Sequence, residues 1–322
     1  MMQHKPLGKS GLMLPPIVFG GNVFGWTADP ATSFKLLDRL MEAGLNAIDT
    51  ADVYSRWAPG NTGGESEAIL GVWLKNRKQR DKVIIATKCG MEMGPEKKGL
   101  SAKRIMAAIE ESLIRLQTDY VDLYQAHADD EATPLEETLE AFGKLIKQGK
   151  ARAIGASNYR AERLAQALEI ARKHGLPRYE SLQPHYNLLE RQAFEGALER
   201  LCLSEGIGVI GYYSLAAGFL TGKYRTESDL AQHARGGSVG KYCNPRGFAV
   251  VDSLREQARR LNATPAQVAL AWLIARPSVT APIASATSLA QLDELAGAAR
   301  LKLDAEAITA LDAVSAPPSG PA

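Results

Sequence analysis

The segment "NAIDTADVYSRW" at residues 46–57 ends an apolar run in Asp49 and sets a phenol, Tyr54, five residues later. Two other short apolar runs end in groups that can carry charge or protons, "KVIIATK" in Lys88 and "VDLYQAH" in His127. An ionised lysine and aspartate in a low-dielectric mouth need each other, because either alone costs roughly several kcal/mol to desolvate. Alone they would read as a buried structural pair. The tyrosine changes that reading: folded back over the same mouth, its phenol would have its pKa lowered by the ammonium from about 10 by roughly one to three units. A phenol so tuned donates a proton near neutral pH, an effect on the order of 10² to 10⁴ in rate. An imidazole beside it can hold a substrate oxygen and stabilise developing negative charge. Together the four groups suit carbonyl reduction, with hydride delivered to carbon and a proton from Tyr54 to oxygen.

Four such residues must be positioned by a scaffold, and the spacing of apolar runs predicts one. Eight runs, "PIVFGG", "NAIDT", "KVIIATK", "VDLYQAH", "ARAIGAS", "SLQPH", "IGVIGYY" and "TAPIASA", are each followed by residues at helical spacing. Asp29-Pro30 and Gly44 mark the ends of the first helix. Thr133 to Glu136 reads as a capping box with Pro134 at N1, and Thr264 with Gln267 and Ser288 with Gln291 repeat the pattern. Strand then helix, eight times without a linker, predicts an α/β fold: a single closed (β/α)8 barrel domain over 1–322. An open doubly wound sheet is the alternative. Residues 1–15 are expected to hold a β-hairpin plugging the barrel bottom, 217–247 a long active-site loop after strand seven, and 316–322 a flexible tail.

Active sites of such barrels lie at the carboxyl ends of the strands. The polar residues there are Asp49, Lys88, His127, Ser157-Asn158, Gln183 and Tyr212. Alternation along a strand puts Lys88, Ala86 and Ile84 on one face and turns Cys89 toward the helices. His127 shares a face with Leu123 and Gln125 in the same way.

Composition narrows the partners. With 38 Lys+Arg against 36 Asp+Glu the formal charge is +2, which gives no reason to expect nucleic acid or an anionic membrane. The basic run from Lys75 to Lys82 suits the negative end of a helix. Three cysteines at unrelated spacings imply neither a disulfide framework nor a metal site and fit a reducing compartment. No apolar run has the length of a signal peptide or membrane span, so a cytoplasmic protein is expected. Oligomeric state is left open, a homo-oligomer included.

The segments "AIDTADVY", "ATK", "DLYQAH", "GASNY" and "GYYSLAAGFLTGKY", in this order, resemble the signature segments of the aldo-keto reductase superfamily, from the "LGKSGL" hairpin to the last helices. The resemblance implies a catalytic tetrad of Asp49, Tyr54, Lys88 and His127, with Tyr54 the general acid, Lys88 and Asp49 its tuning pair and His127 the orienting group. It implies a nicotinamide dinucleotide bound without a Rossmann domain, and "GGNVFG" indeed lacks the GxGxxG spacing. By the same resemblance Ser157, Asn158 and Gln183 hold the carboxamide, Tyr212 stacks on the nicotinamide, Asn22 and Val23 lie along the cofactor, and Leu215 and Gly218 offer backbone to its pyrophosphate. At the adenosine end the match loosens. Ser285, Thr287 and Gln291 are expected around a helix start capped by Ser288, with Lys223, Arg235 or Arg246 as the charge for a phosphate. NADPH is favoured over NADH.

Trp26, Trp57 and Tyr186, joined by Phe24, are expected to wall the pocket for a small carbonyl substrate. Asp52 and the acids of Ala128 to Glu131 read as loop or helix-entry residues. A lysine Schiff-base aldolase would need a neutral Lys88, and a glycosidase a second carboxylate opposed to Asp49. The rival from outside enzymology is a non-catalytic, NADPH-binding regulatory subunit like the potassium-channel β subunits that share the family's fold.

Overall fold

The computed structural model describes residues 2–224, 229 and 236–317. A two-stranded antiparallel hairpin opens the chain, β1 (Lys5–Pro6) and β2 (Met13–Leu14). Eight parallel strands follow: β3 (Val18–Gly20), β4 (Ala47–Asp49), β5 (Ile84–Cys89), β6 (Val121–Ala126), β7 (Ala151–Ser157), β8 (Ser181–Gln183), β9 (Gly208–Val209) and β10 (Ile283–Ala284). Their order in the sheet is β10-β3-β4-β5-β6-β7-β8-β9. The two ends meet: Ile283 N–H donates to the Gly211 carbonyl at 2.8 Å, and Thr280 and Ala281 N–H both donate to Val209 O. Those bonds curl the sheet into the (β/α)8 barrel expected from the eight runs.

Helices α1 (Pro30–Ala43), α2 (Glu65–Arg77), α3 (Ala102–Leu116), α4 (Leu135–Lys147), α5 (Ala161–His174) and α6 (Ala197–Glu205) follow β3 to β8 in turn. After β9 come the short α7 (Gly236–Val239) and then α8 (Pro245–Arg260) and α9 (Pro265–Ile274), and after β10 come α10 (Leu289–Ala298) and α11 (Ala305–Val314). Local chemistry sets the ends. Asp29 accepts from Thr32 N–H at 2.7 Å and Gly44 closes α1 at φ 74°, a left-handed conformation that glycine adopts without a Cβ penalty. Thr264 and Gln267 form the reciprocal capping box of α9.

Two caps differ from expectation. Thr133 does not cap α4, because its hydroxyl donates to Asp130 Oδ2 at 2.6 Å and Pro134 takes the cap position. Ser288 does accept from Gln291 N–H, but the Gln291 side chain turns to Thr287, accepting from its N–H at 2.8 Å and its hydroxyl at 3.1 Å. The long loop expected at 217–247 is partly helical: a 3₁₀ turn spans Ala216–Thr221, α7 lies within it, and α8 already begins at Pro245. Arg235 and most of the expected tail, 318–322, lie outside the described residues.

The core has two layers. Inside the barrel, Val18, Ala47, Ala86, Leu123, Ala153 and Ile210 pack against Leu7, Leu12 and Leu14 of the hairpin, which closes the bottom. Outside, the opposite faces of the strands meet the helices, with Ile48, Ile85, Cys89, Tyr124 and Ile154 among the buried residues. Because alternate residues face alternate layers, Ala86 inward and Cys89 outward fix Lys88 as inward.

Candidate active site

Strands β4 and β5 pair in register, Asp49 opposite Ala86, and β5 pairs with β6, Lys88 opposite Gln125. Asp49 and Lys88 therefore reach the same end of the interior, and both are buried. The Lys88 ammonium donates to Asp49 Oδ2 at 2.7 Å, to the Thr50 carbonyl at 2.8 Å and to Tyr54 Oη at 2.8 Å. Tyr54 Oη in turn donates to Asp49 Oδ2 at 3.1 Å, and Gln183 Nε2 donates to Asp49 Oδ1 at 2.9 Å.

The loop after β4 folds back because it is pinned elsewhere. Ser55, at φ 71°, donates its hydroxyl to Phe24 O at 2.6 Å, and Asn61 Nδ2 bridges Ser55 O and Gly25 O. The residue before Ser55, Tyr54, is thereby held over the ammonium. His127 follows β6 on the same face, its N–H bonded to Cys89 O and its ring 6.0 Å from that of Tyr54, centroid to centroid.

The electrostatics follow from burial. Desolvation pushes Lys88 below the usual lysine range while Asp49 holds it up. Desolvation first, and the Lys88 charge second, push His127 well below its ordinary value, so the imidazole is neutral; its Nδ1 is buried with no partner among the described residues. Tyr54 departs from expectation: its pKa is raised well above 10, not lowered, because burial first and then Asp49 oppose the phenolate. A spacing argument sees the cation but not the desolvation or the carboxylate sharing the same oxygen.

Ser157, Asn158, Gln183 and Tyr212 form a polar rim. The Ser157 hydroxyl donates to Gln183 O at 2.9 Å, Asn158 Nδ2 donates to His127 O at 2.9 Å, and Tyr212 Oη donates to Asn158 Oδ1 at 2.8 Å. Trp26 and Trp57 meet edge to face at 5.7 Å, and Trp57 meets Tyr54 at 5.9 Å.

Tyr186 and Phe24 do not join that wall. Tyr186 packs against Phe194 and Trp272 in the outer core and donates to Glu195, and Phe24 is buried against Phe19. From the same stretch His185 stacks on Tyr212 at 5.2 Å and Tyr213 stands exposed beside it. Both lie at the ends of quoted runs, "SLQPH" and "IGVIGYY", but Gln183 and Tyr212 are the polar residues singled out there.

Farther out, Asn22 Oδ1 accepts from the Ser285 hydroxyl at 2.7 Å, linking the ends of β3 and β10, while the Val23 side chain is buried in the core. Leu215 begins a tight turn with Ala216, Ala217 and Gly218 all at positive φ. A Cβ on Gly218 would lie 3.5 Å from Lys223 Nζ, which puts that ammonium against the turn. Arg246 is not a loose charge: it donates to the carbonyls of Leu189 and Ser315, tying α8 to the end of α11.

The aldo/keto reductase family model matches residues 16–316. The chain belongs to that family. Similar aldo/keto reductases and relatives include an uncharacterized oxidoreductase, YrpG, of Bacillus subtilis, 32% identical over 99% of this chain and 98% of its own length. An L-glyceraldehyde 3-phosphate reductase of Escherichia coli is 34% identical over 91% of this chain and 86% of its own length. A probable voltage-gated potassium channel subunit beta of Oryza sativa is 33% identical over 91% of this chain and 90% of its own length. Family membership makes the chain an oxidoreductase of carbonyl compounds. Among its described residues no group of His, Cys, Asp or Glu is arranged to hold a metal ion, and no helix is long and apolar enough to cross a membrane.

Proposed function

We propose that this aldo/keto reductase reduces an aldehyde, a ketone or the carbonyl form of a sugar to the alcohol with NADPH, Tyr54 serving as general acid. The observation that carries the reading is the single ammonium, Lys88, bonded at once to a buried carboxylate and to the phenol. The residues present fit a nicotinamide dinucleotide: two amides, Asn158 and Gln183, a hydroxyl, Ser157, and the Tyr212 ring border the mouth. The turn from Leu215 to Gly218 and the Lys223 ammonium suit its phosphates, with Ser285, Thr287 and Gln291 at the adenosine end. When bound, the cofactor supplies the hydride.

The raised pKa keeps Tyr54 protonated at neutral pH, so the proton is in place to be given. It moves to the substrate oxygen because an alkoxide is a far stronger base than a phenolate. Lys88 then stabilises the phenolate, and Asp49 keeps Lys88 charged and aimed. His127, neutral, holds the carbonyl oxygen through a ring N–H. The same contacts disfavour an aldolase, since three acceptors occupy the Lys88 ammonium and leave no lone pair to attack a carbonyl.

The likeness to a potassium channel subunit beta raises the second reading, a cofactor-binding regulatory subunit. Titration of NADPH fluorescence followed by a broad carbonyl panel separates the two. NADPH oxidation with one or more carbonyls is expected; tight NADPH binding without turnover of any would favour the regulatory reading.

A further inference from the structure

Three residues past Asp49 stands a second buried aspartate that this mechanism does not use. The Asp52 main-chain N–H donates to Lys88 O at 3.2 Å, while Lys88 Nζ donates to Thr50 O at 2.8 Å. Residues 50 to 52 thus grip Lys88 at both its backbone and its ammonium. The Asp52 side chain reaches α3, where Oδ2 accepts from Arg104 at 3.3 Å; Oδ1 is buried with no partner among the described residues. Around it stand Lys88 and Cys89 of β5, Glu67 of α2, Arg104, Glu111 and Arg115 of α3, and Tyr124 of β6.

The other charges there are paired. Glu67 accepts from Thr87 at 2.5 Å and Arg115 at 2.7 Å, and Arg104 lies 3.5 Å from Glu111. Asp52 and its partner Arg104, whose Nε is also buried with no partner among the described residues, are both half-satisfied, and a buried carboxylate with an empty acceptor is unfavourable. Burial first and Glu67 second push it up to about 7, and its ionised form favours a charged Lys88.

We propose that Asp52 is a positioning residue for the proton transfer: its main chain fixes the Lys88 backbone, and its carboxylate, held by Arg104, keeps the ammonium charged against Tyr54. This rests on the reading of Tyr54 as proton donor.

Asp52→Asn retains the shape, the main-chain donor and an acceptor for Arg104 but removes the charge. Lys88 should then lose its proton at lower pH, and a neutral amine stabilises the Tyr54 phenolate less. The measurement is the pH profile of kcat/KM for 4-nitrobenzaldehyde with saturating NADPH, from about pH 6 to 10. The alkaline limb is expected to move down by about half to one pH unit. Near pH 6, where Asp52 is protonated in the unsubstituted protein too, the two enzymes are expected to agree within about twofold, which a general loss of structure would not give.

Superimposable alkaline limbs would overturn the inference. Tyr54→Phe, assayed alongside, separates the two claims: if it retains activity, the proton donor is misassigned, whereas an inactive Tyr54→Phe with an unmoved Asp52→Asn limb sinks only the role of Asp52. Should Asp52→Asn fail to fold, Asp52→Ser, which also removes the charge and keeps the main-chain donor to Lys88 O, carries the same prediction; an unmoved limb there overturns the inference equally.

Discussion

The cluster around Lys88 and the segments at Leu215–Lys223 and Thr287–Gln291 are built in opposite ways. In the first, adjacent strands fix the direction of Asp49 and Lys88, both are buried, and all three ammonium protons have acceptors. In the second, a turn at positive φ, its Ala216 and Gly218 N–H groups bonded to Tyr213 O and Leu215 O, stands beside the exposed Lys223, and Thr287 and Gln291 bond each other at an exposed helix start. A rigid, buried cluster suits proton transfer, where small misplacements lose large factors in rate. Exposed side chains suit a ligand that must enter and leave.

If that contrast holds, the largest effect should come from Lys88→Met, which leaves Asp49 buried without its cation. A loss of about 3–5 kcal/mol is expected from removing one partner of a buried pair, read by urea unfolding, together with loss of turnover. Stability within about 0.5 kcal/mol of the unsubstituted protein would mean that the pair is more hydrated than it looks.

A second effect concerns pH. The folded-state pKa of His127 lies below its unfolded value, so the unfolded chain takes up the proton more readily and stability should fall as pH drops through about 6.5. His127→Gln is expected to flatten that part of the melting-temperature profile between pH 5 and 8; an identical slope would show the imidazole to be solvated.

A smaller effect is expected at the open end. Lys223→Ala should weaken NADPH binding by about fivefold, on the order of 1 kcal/mol for an exposed charge, more at low salt than at high, with melting unchanged. Smallest of all for stability is Trp57→Ala, at 48% exposure. It should leave unfolding within about 0.5 kcal/mol while raising KM for aromatic aldehydes.

Legibility in the sequence divides along the same line. All eight strands and the inward direction of Lys88 were readable, because pleat and period translate directly into residue order. The caps by Asp29 and Thr264 were readable for a similar reason: a cap is a local contact. Thr133 misled because its hydroxyl bonds to Asp130, a choice made by the loop's path. Tyr186 and Phe24 misled because an aromatic near a strand end can face either layer, and only the packing of Trp272 or Phe19 decides. The direction of the Tyr54 shift needed burial, and the bond of Asp52 to Arg104 needed a contact across 52 residues of chain. Neither is written in spacing.

The central claim is tested most directly by Tyr54→Phe, which deletes one oxygen and keeps the ring that packs against Trp57 and His127. NADPH affinity by fluorescence titration is expected to stay within about twofold while turnover of a carbonyl substrate falls by roughly two orders of magnitude or more. Undiminished turnover with intact NADPH binding would contradict the account, because the proton would then be coming from another group.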